Sequence, residues 1–183
     1  MSQSTEIPES KATIEDYEAV AKDFQIIEFI AGDILVTPPP SIEHQRMSRE
    51  LMLTIGQDLQ NKKAGELFAA PTGLRTASGE VLEPDLQIIL KERKNIINTN
   101  YIKGSPHIII EILSPGTQHR DWGIKKDIYE EIGVNEYWII EPKIQEVTIF
   151  KLEKGKLKRK QKLNLKKGEK ITSQLLPDFS FSL

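Results

Sequence analysis

The chain contains no cysteine, which excludes disulfides, thiolate metal sites and a cysteine nucleophile. Any metal must therefore be held by oxygen or by one of three histidines, His44, His107 and His119, whose separations are not those of a zinc site. No apolar run is long enough to span a bilayer, and residues 1–10 lack the basic start and apolar stretch of a signal peptide, so no membrane partner and a cytoplasmic location are expected. No glycine-rich phosphate loop and no nucleophile elbow is present. Aromatic residues amount to 7% with only two tryptophans, Trp122 and Trp138. That offers little to a glycosidase, which needs sugar-stacking platforms beside its two acids. The formal net charge of −2 argues against a uniformly basic nucleic-acid binder.

What is present is ordinary for a globular protein: 183 residues, 38% hydrophobic and 28% charged, enough for one domain over 1–183 with a buried core. Residues 1–12 read as a flexible lead. The charge is unevenly spread, because segment 151–170 holds ten lysines or arginines against Glu153 and Glu169. Such an arm suits phosphates, while the remaining acidic surplus suits a metal. A charged edge hairpin that resists aggregation explains the same pattern.

Thr13 with Asp16 three residues on predicts a capped helix over 14–22. Segments 25–30 and 34–37, joined by Ala31-Gly32-Asp33, read as a hairpin that Pro38-Pro39-Pro40 terminates. Ser41 is a good N-cap for a long helix in which Met47, Leu51, Ile55 and Leu59 form an apolar stripe and Gly65 marks the end. Strands are expected at 66–70 and 74–77, and the aliphatic runs 86–90 and 107–113 look like buried central strands. A helix over 120–132 follows, with Ile124, Ile128 and Ile132 on its buried side and Gly133 at its end. After it come a core strand at 136–141 and a basic hairpin, 147–152 with 157–165, around Lys154-Gly155. This order predicts an α/β fold: a mixed β-sheet flanked by helices, with an N-terminal hairpin and a C-terminal basic hairpin.

Two acids stand on otherwise apolar strands. Asp85 follows Pro84 at the mouth of one, and Glu111 lies inside His-Ile-Ile-Ile-Glu-Ile-Leu. An ionised carboxylate there is costly unless paired, and a shared Mg²⁺, which takes one or two carboxylates plus water and substrate phosphate, would compensate. A buried Lys or Arg partner would do so equally, and Pro-Asp also opens turns. On the following helix Lys125 falls roughly 100° and Tyr129 roughly 140° from Ile124, one flank of the apolar stripe, from which a lysine can reach along the sheet or snorkel to water.

Pro84-Asp85, Glu111-Ile112-Leu113-Ser114-Pro115, Asp121 with Lys125 and Tyr129, Gly133-Val134-Asn135-Glu136-Tyr137-Trp138 and Glu141-Pro142 occur in an order that resembles the Uma family of putative restriction endonucleases, in the PD-(D/E)XK nuclease superfamily. Tyr17, the 28–36 hairpin, the triple proline and His44-Gln45 also fit. The resemblance implies a restriction-endonuclease-like fold and hydrolysis of nucleic-acid phosphodiesters, DNA before RNA, with Mg²⁺ (Mn²⁺ as substitute) held by Asp85, Glu111 and the Ile112 carbonyl. The superfamily's lysine two residues after the glutamate is Leu113 here, so the resemblance implies that Lys125 is its migrated replacement. His44 and Glu50 on the long helix are expected near the same cleft, and Asp121 to orient Lys125 or cap its helix. A degenerate module that binds nucleic acid or protein without cutting is the alternative, and a homodimer would match the two strands of a duplex.

Overall fold

The computed structural model describes residues 11–20 and 26–182. The expected helix end at 21–22, the strand start at Gln25 and most of the flexible lead lie outside these residues. Helix α1 (Ile14–Val20) begins with the anticipated reciprocal cap, Thr13 N–H donating to Asp16 Oδ2 at 2.8 Å and Asp16 N–H to Thr13 Oγ1 at 3.2 Å. Strands β1 (Ile27–Ile30) and β2 (Asp33–Val36) form the N-terminal hairpin. Helix α2 (Ile42–Lys62) starts where Ser41 Oγ accepts the His44 N–H at 3.2 Å, and its stripe of Met47, Leu51, Ile55 and Leu59 is buried.

The helix does not stop at Gly65. Its left-handed terminal residue is Lys63, with φ 49°, and Gly65 opens β3 (Gly65–Ala69), where a Cβ would stand 2.4 Å from the Ile89 carbonyl oxygen. Close backbone approach, not helix termination, demands glycine there. The strand expected at 74–77 is shorter, β4 (Leu74–Arg75), and is followed by β5 (Val81–Leu82), β6 (Leu86–Leu90), β7 (Ile102–Lys103) and β8 (Ile108–Ile112).

The helix expected over 120–132 is two helices, α3 (Gln118–Trp122) and α4 (Ile124–Glu131), broken at Gly123, whose φ and ψ are −109° and −107°. Its buried side is also rotated from expectation. Ile124 is exposed, whereas Lys125, Ile128 and Tyr129 are buried. The apolar stripe was a poor guide because the sheet beneath α4 offers acids to pair with an ammonium and a phenol, so polar side chains can be buried there.

Strands β9 (Glu136–Glu141), β10 (Glu146–Glu153) and β11 (Lys156–Asn164) follow, with Lys154 and Gly155 at φ 52° and 75° making the tight turn of the basic hairpin. A last hairpin, β12 (Ile171–Ser173) and β13 (Leu176–Phe181), was not anticipated; it seats Phe179 and Phe181 in the α2 side of the core.

Six strands form one sheet in the order β11-β10-β9-β8-β6-β3, antiparallel except for the central pair β8–β9, which α3 and α4 connect. A second sheet has the order β2-β1-β5-β4-β7. On the large sheet, Ile108, Ile110 and Ile112 of β8 pack with α2, while Ile109 and Leu113 pack with Tyr129 of α4. Period-two alternation therefore turns Glu111 toward α4. The mixed sheet flanked by helices is the architecture the sequence predicted.

Candidate active site

Asp85 precedes β6, and Glu111 lies next to it on the neighbouring strand β8. The Asp85 N–H points to Glu111 Oε2 at 3.4 Å, and Asp85 Oδ2 accepts the Ile112 N–H at 2.7 Å. In a strand the N–H and C=O of one residue leave by the same edge, so the Ile112 carbonyl is turned to the side of β8 on which Asp85 lies. His44, buried in the first turn of α2, brings Nε2 within 3.1 Å of Asp85 Oδ1.

Lys125 is 5% exposed. Its Nζ lies 2.6 Å from Glu111 Oε1, 2.9 Å from Glu28 Oε1 and 3.4 Å from Asp121 Oδ1. An ammonium has three donors, and three carboxylates from β8, β1 and α3 meet them. Tyr129, one turn along α4, donates its O–H to Glu111 Oε1 at 2.7 Å. Tyr137 of β9 donates to the Asp121 carbonyl at 2.9 Å, tying down α3. These groups surround a cleft of about 210 Å³ whose walls include Glu28, His44, Glu83, Asp85, Glu111, Arg120, Asp121 and Lys125.

The sequence profile of the Uma2 family, described as "Putative restriction endonuclease", matches residues 14–183. The chain belongs to this family. Its fold is similar to that of a crystal structure described as a putative nuclease belonging to DUF820 from Anabaena variabilis ATCC 29413, at a TM-score of 0.77 and 16% sequence identity over 93% of this chain and 94% of that one. No curated protein matches it. Among the described residues, no helix of this Uma2 protein is long and apolar enough to cross a membrane.

The Uma2 cleft brings together Asp85, Glu111, Ile112, Lys125, Asp121 and His44, with Tyr129 buried behind Glu111. Glu50 is not among them: it is on another flank of α2, partly exposed and paired with Arg49, because a position six residues after His44 falls on a different side of a helix with 3.6 residues per turn. Three residues absent from the sequence reading join the site, Glu28, Glu83 and Arg120. Glu28 carried the same signal as Glu111, an acid inside an apolar strand, Ile-Ile-Glu-Phe-Ile. Of the other histidines, His107 is structural, its Nδ1 accepting the Leu90 N–H at 3.1 Å. Trp138 is core, as expected, donating to Glu136 and stacked on Phe179.

Five carboxylates face the cleft against the two cations Lys125 and Arg120, and burial raises the proton affinity of several. Burial pushes Glu111 up to about 8, with Lys125 opposing and Asp121, Asp85 and Glu28 adding to the rise. Glu83 rises to about 7 through burial and the Glu28 charge, and Asp121 to about 6 through burial, with Lys125 opposing and Asp85 and Glu28 adding to the rise. Lys125 itself is held well above the ordinary lysine range, its own desolvation being outweighed by Glu111, Glu28 and Asp121.

This donor set fits a hard divalent cation with few protein ligands. All the acids offer oxygen, and negative charge is in surplus. Among the described residues no group of three or more His, Asp or Glu is arranged to hold a metal ion. Two carboxylates and a backbone carbonyl, the rest being water and substrate, is the sparse ligation Mg²⁺ accepts.

The basic hairpin is more fully paired than its charge suggested, partly with acids of β9 and α4. Lys151 meets Glu136, Lys156 meets Glu130, Lys160 meets Glu153 and Lys162 meets Glu146, all within 3.0 Å. The surplus left for phosphates is correspondingly smaller.

Proposed function

We propose that this protein is a metal-dependent endonuclease that hydrolyses phosphodiester bonds in nucleic acid, DNA in preference to RNA. The observation that carries the reading is the convergence of Asp85, Glu111 and the Lys125 ammonium on one cleft. The family description supports the reaction class and the preference for DNA.

Asp85 and Glu111, with the Ile112 carbonyl, would hold Mg²⁺ or Mn²⁺. Bound there, the cation would polarise the phosphoryl oxygens and make water more acidic. Lys125 keeps its proton at Nζ across the physiological range, so its role is to orient the attacking water and offset charge on the phosphate rather than to act as a base. Tyr129 fixes Glu111 Oε1, leaving Oε2 turned to the cation, while His44 at Oδ1 and the Ile112 N–H at Oδ2 hold the Asp85 carboxylate in place, its remaining lone pairs serving the cation. Glu28 and Asp121 anchor the lysine that the strand position Leu113 lacks.

The test is cleavage of supercoiled plasmid by the purified protein in Mg²⁺ or Mn²⁺, with EDTA as background. Asp85→Asn and Glu111→Gln should each fall to the EDTA level while keeping the wild-type circular dichroism spectrum. Cleavage at the wild-type rate by the double variant would refute the assignment. Absence of both cutting and divalent-cation binding, with nucleic-acid affinity retained, would identify a binding module instead.

A further inference from the structure

Arg120 of α3 lines the cleft, yet the contacts around it do not use its charge fully. Its side chain is 14% exposed, and Nη1 comes no closer than 4.0 Å to Glu28 Oε2, beyond hydrogen-bond distance. That buried nitrogen has no hydrogen-bond partner among the described residues. Folded proteins pair nearly all such donors, so an unfilled donor on a guanidinium whose side chain lines the cleft points to a ligand that completes it. His44 Nδ1 and Glu83 Oε2, on the same cleft, are buried and unpartnered in the same way.

Lys125 offsets charge on the phosphate but is less free to grip it. Lys125 has one acid for each of its three donors and must give one up to bind an anion. Arg120 has donors to spare, and Glu28, between the two cations, lets them sit side by side without direct repulsion. A guanidinium presents a planar fork that matches two oxygens of a phosphate.

We propose that Arg120 is the substrate-binding residue that grips a non-bridging oxygen pair of a nucleic-acid phosphodiester beside the reacting bond. The proposal rests on the nuclease reading and extends it to a residue outside the metal-binding set.

The experiment is fluorescence anisotropy of a fluorescein-labelled DNA duplex titrated with protein in the Asp85→Asn background, over a range of salt concentrations. Arg120→Gln should weaken binding about tenfold or more, the effect of losing a charge-assisted pair, and reduce the slope of log affinity against log salt by about one. Arg120→Lys should restore the slope but recover only part of the affinity, because an ammonium lacks the fork. In the cleaving protein, Arg120→Gln should raise KM by a similar factor.

A merely structural arginine would lower the melting temperature and leave the slope unchanged. That outcome, with Asp85→Asn still abolishing cleavage, overturns the arginine assignment and leaves the nuclease reading standing. If Arg120→Gln does not fold, Arg120→Lys decides alone: full wild-type affinity, or a loss that comes with a lowered melting temperature, overturns the proposal, and reduced affinity at an unchanged slope and melting temperature supports it. A wild-type protein that neither cuts nor binds DNA or RNA overturns both.

Discussion

Replacing Lys125 by methionine keeps the apolar stem of the side chain and removes the charge that three acids share. Glu111, Glu28 and Asp121 lie within 3.4 Å of that ammonium, and breaking a buried charge pair on one side costs about 3–5 kcal/mol. The variant can escape part of this by binding a proton among the three carboxyls, and the escape depends on pH. In the unfolded chain these carboxyls ionise near their ordinary values, around pH 4. A folded variant that retains one more proton than wild type therefore loses about 1.4 kcal/mol of stability for each unit of rising pH.

Wild-type Lys125 adds no slope of its own in this range, because its raised affinity for the proton keeps its contribution whole until the pH exceeds the ordinary lysine value. The expected destabilisation of Lys125→Met is thus small near pH 5 and about 4 kcal/mol near pH 8. Urea denaturation in EDTA at both pH values, analysed with a common m-value, measures it. An equal loss at the two pH values, or a loss below about 1 kcal/mol at pH 8, would mean that the ammonium is not held among these acids.

The wild-type protein without divalent cation should itself lose stability as pH rises. The raised values of Glu111, Glu83 and Asp121 contribute stability that is whole below the ordinary carboxyl range and lost through about 6 to 8; Mn²⁺ should raise the melting temperature more at pH 8 than at pH 6, and scanning fluorimetry showing the opposite order would contradict this. Tyr129→Phe strips one donor from Glu111 Oε1 and should cost about 1–3 kcal/mol by denaturant titration, together with a slower cleavage rate; an unchanged midpoint would show that Lys125 alone satisfies that oxygen. Gly65→Ala drives a methyl against the Ile89 carbonyl and should destabilise by about 1–3 kcal/mol, the range for overpacking, whereas an unaltered melting temperature would mean that β3 can move away freely.

The central strands were legible because continuous aliphatic runs such as Ile108-Ile109-Ile110 have no other stable home than a sheet covered on both faces. An acid inside such a run is conspicuous for the same reason, and Asp85 and Glu111 were visible without coordinates. The caps of α1 and α2 were equally local, written in Thr13-Asp16 and Ser41. Helical periodicity put Lys125 on the flank of the apolar stripe and Lys126 away from it, and the family resemblance implied a role for Lys125 as the migrated lysine.

Other features depended on distance in space. Period-based reading put Ile124 inside and left Lys125 on the flank, since it weighs apolar character and knows nothing of the acids waiting across the sheet. The break at Gly123, the terminal hairpin of β12 and β13, the pairing of the basic arm and the departure of Glu50 from the cleft all turn on which elements meet.

The sequence by itself determined the central strands, the starts of α1 and α2 and the two acids, because backbone sterics, burial and capping act over a few neighbouring residues. Only the tertiary structure decided that Glu28, from a different sheet, and Asp121 would share Lys125 with Glu111, and that Arg120 would remain unfilled beside them. Electrostatic pairing in a buried cleft is set by ångström distances between groups far apart in the chain, and those distances exist only once the sheets and helices have packed.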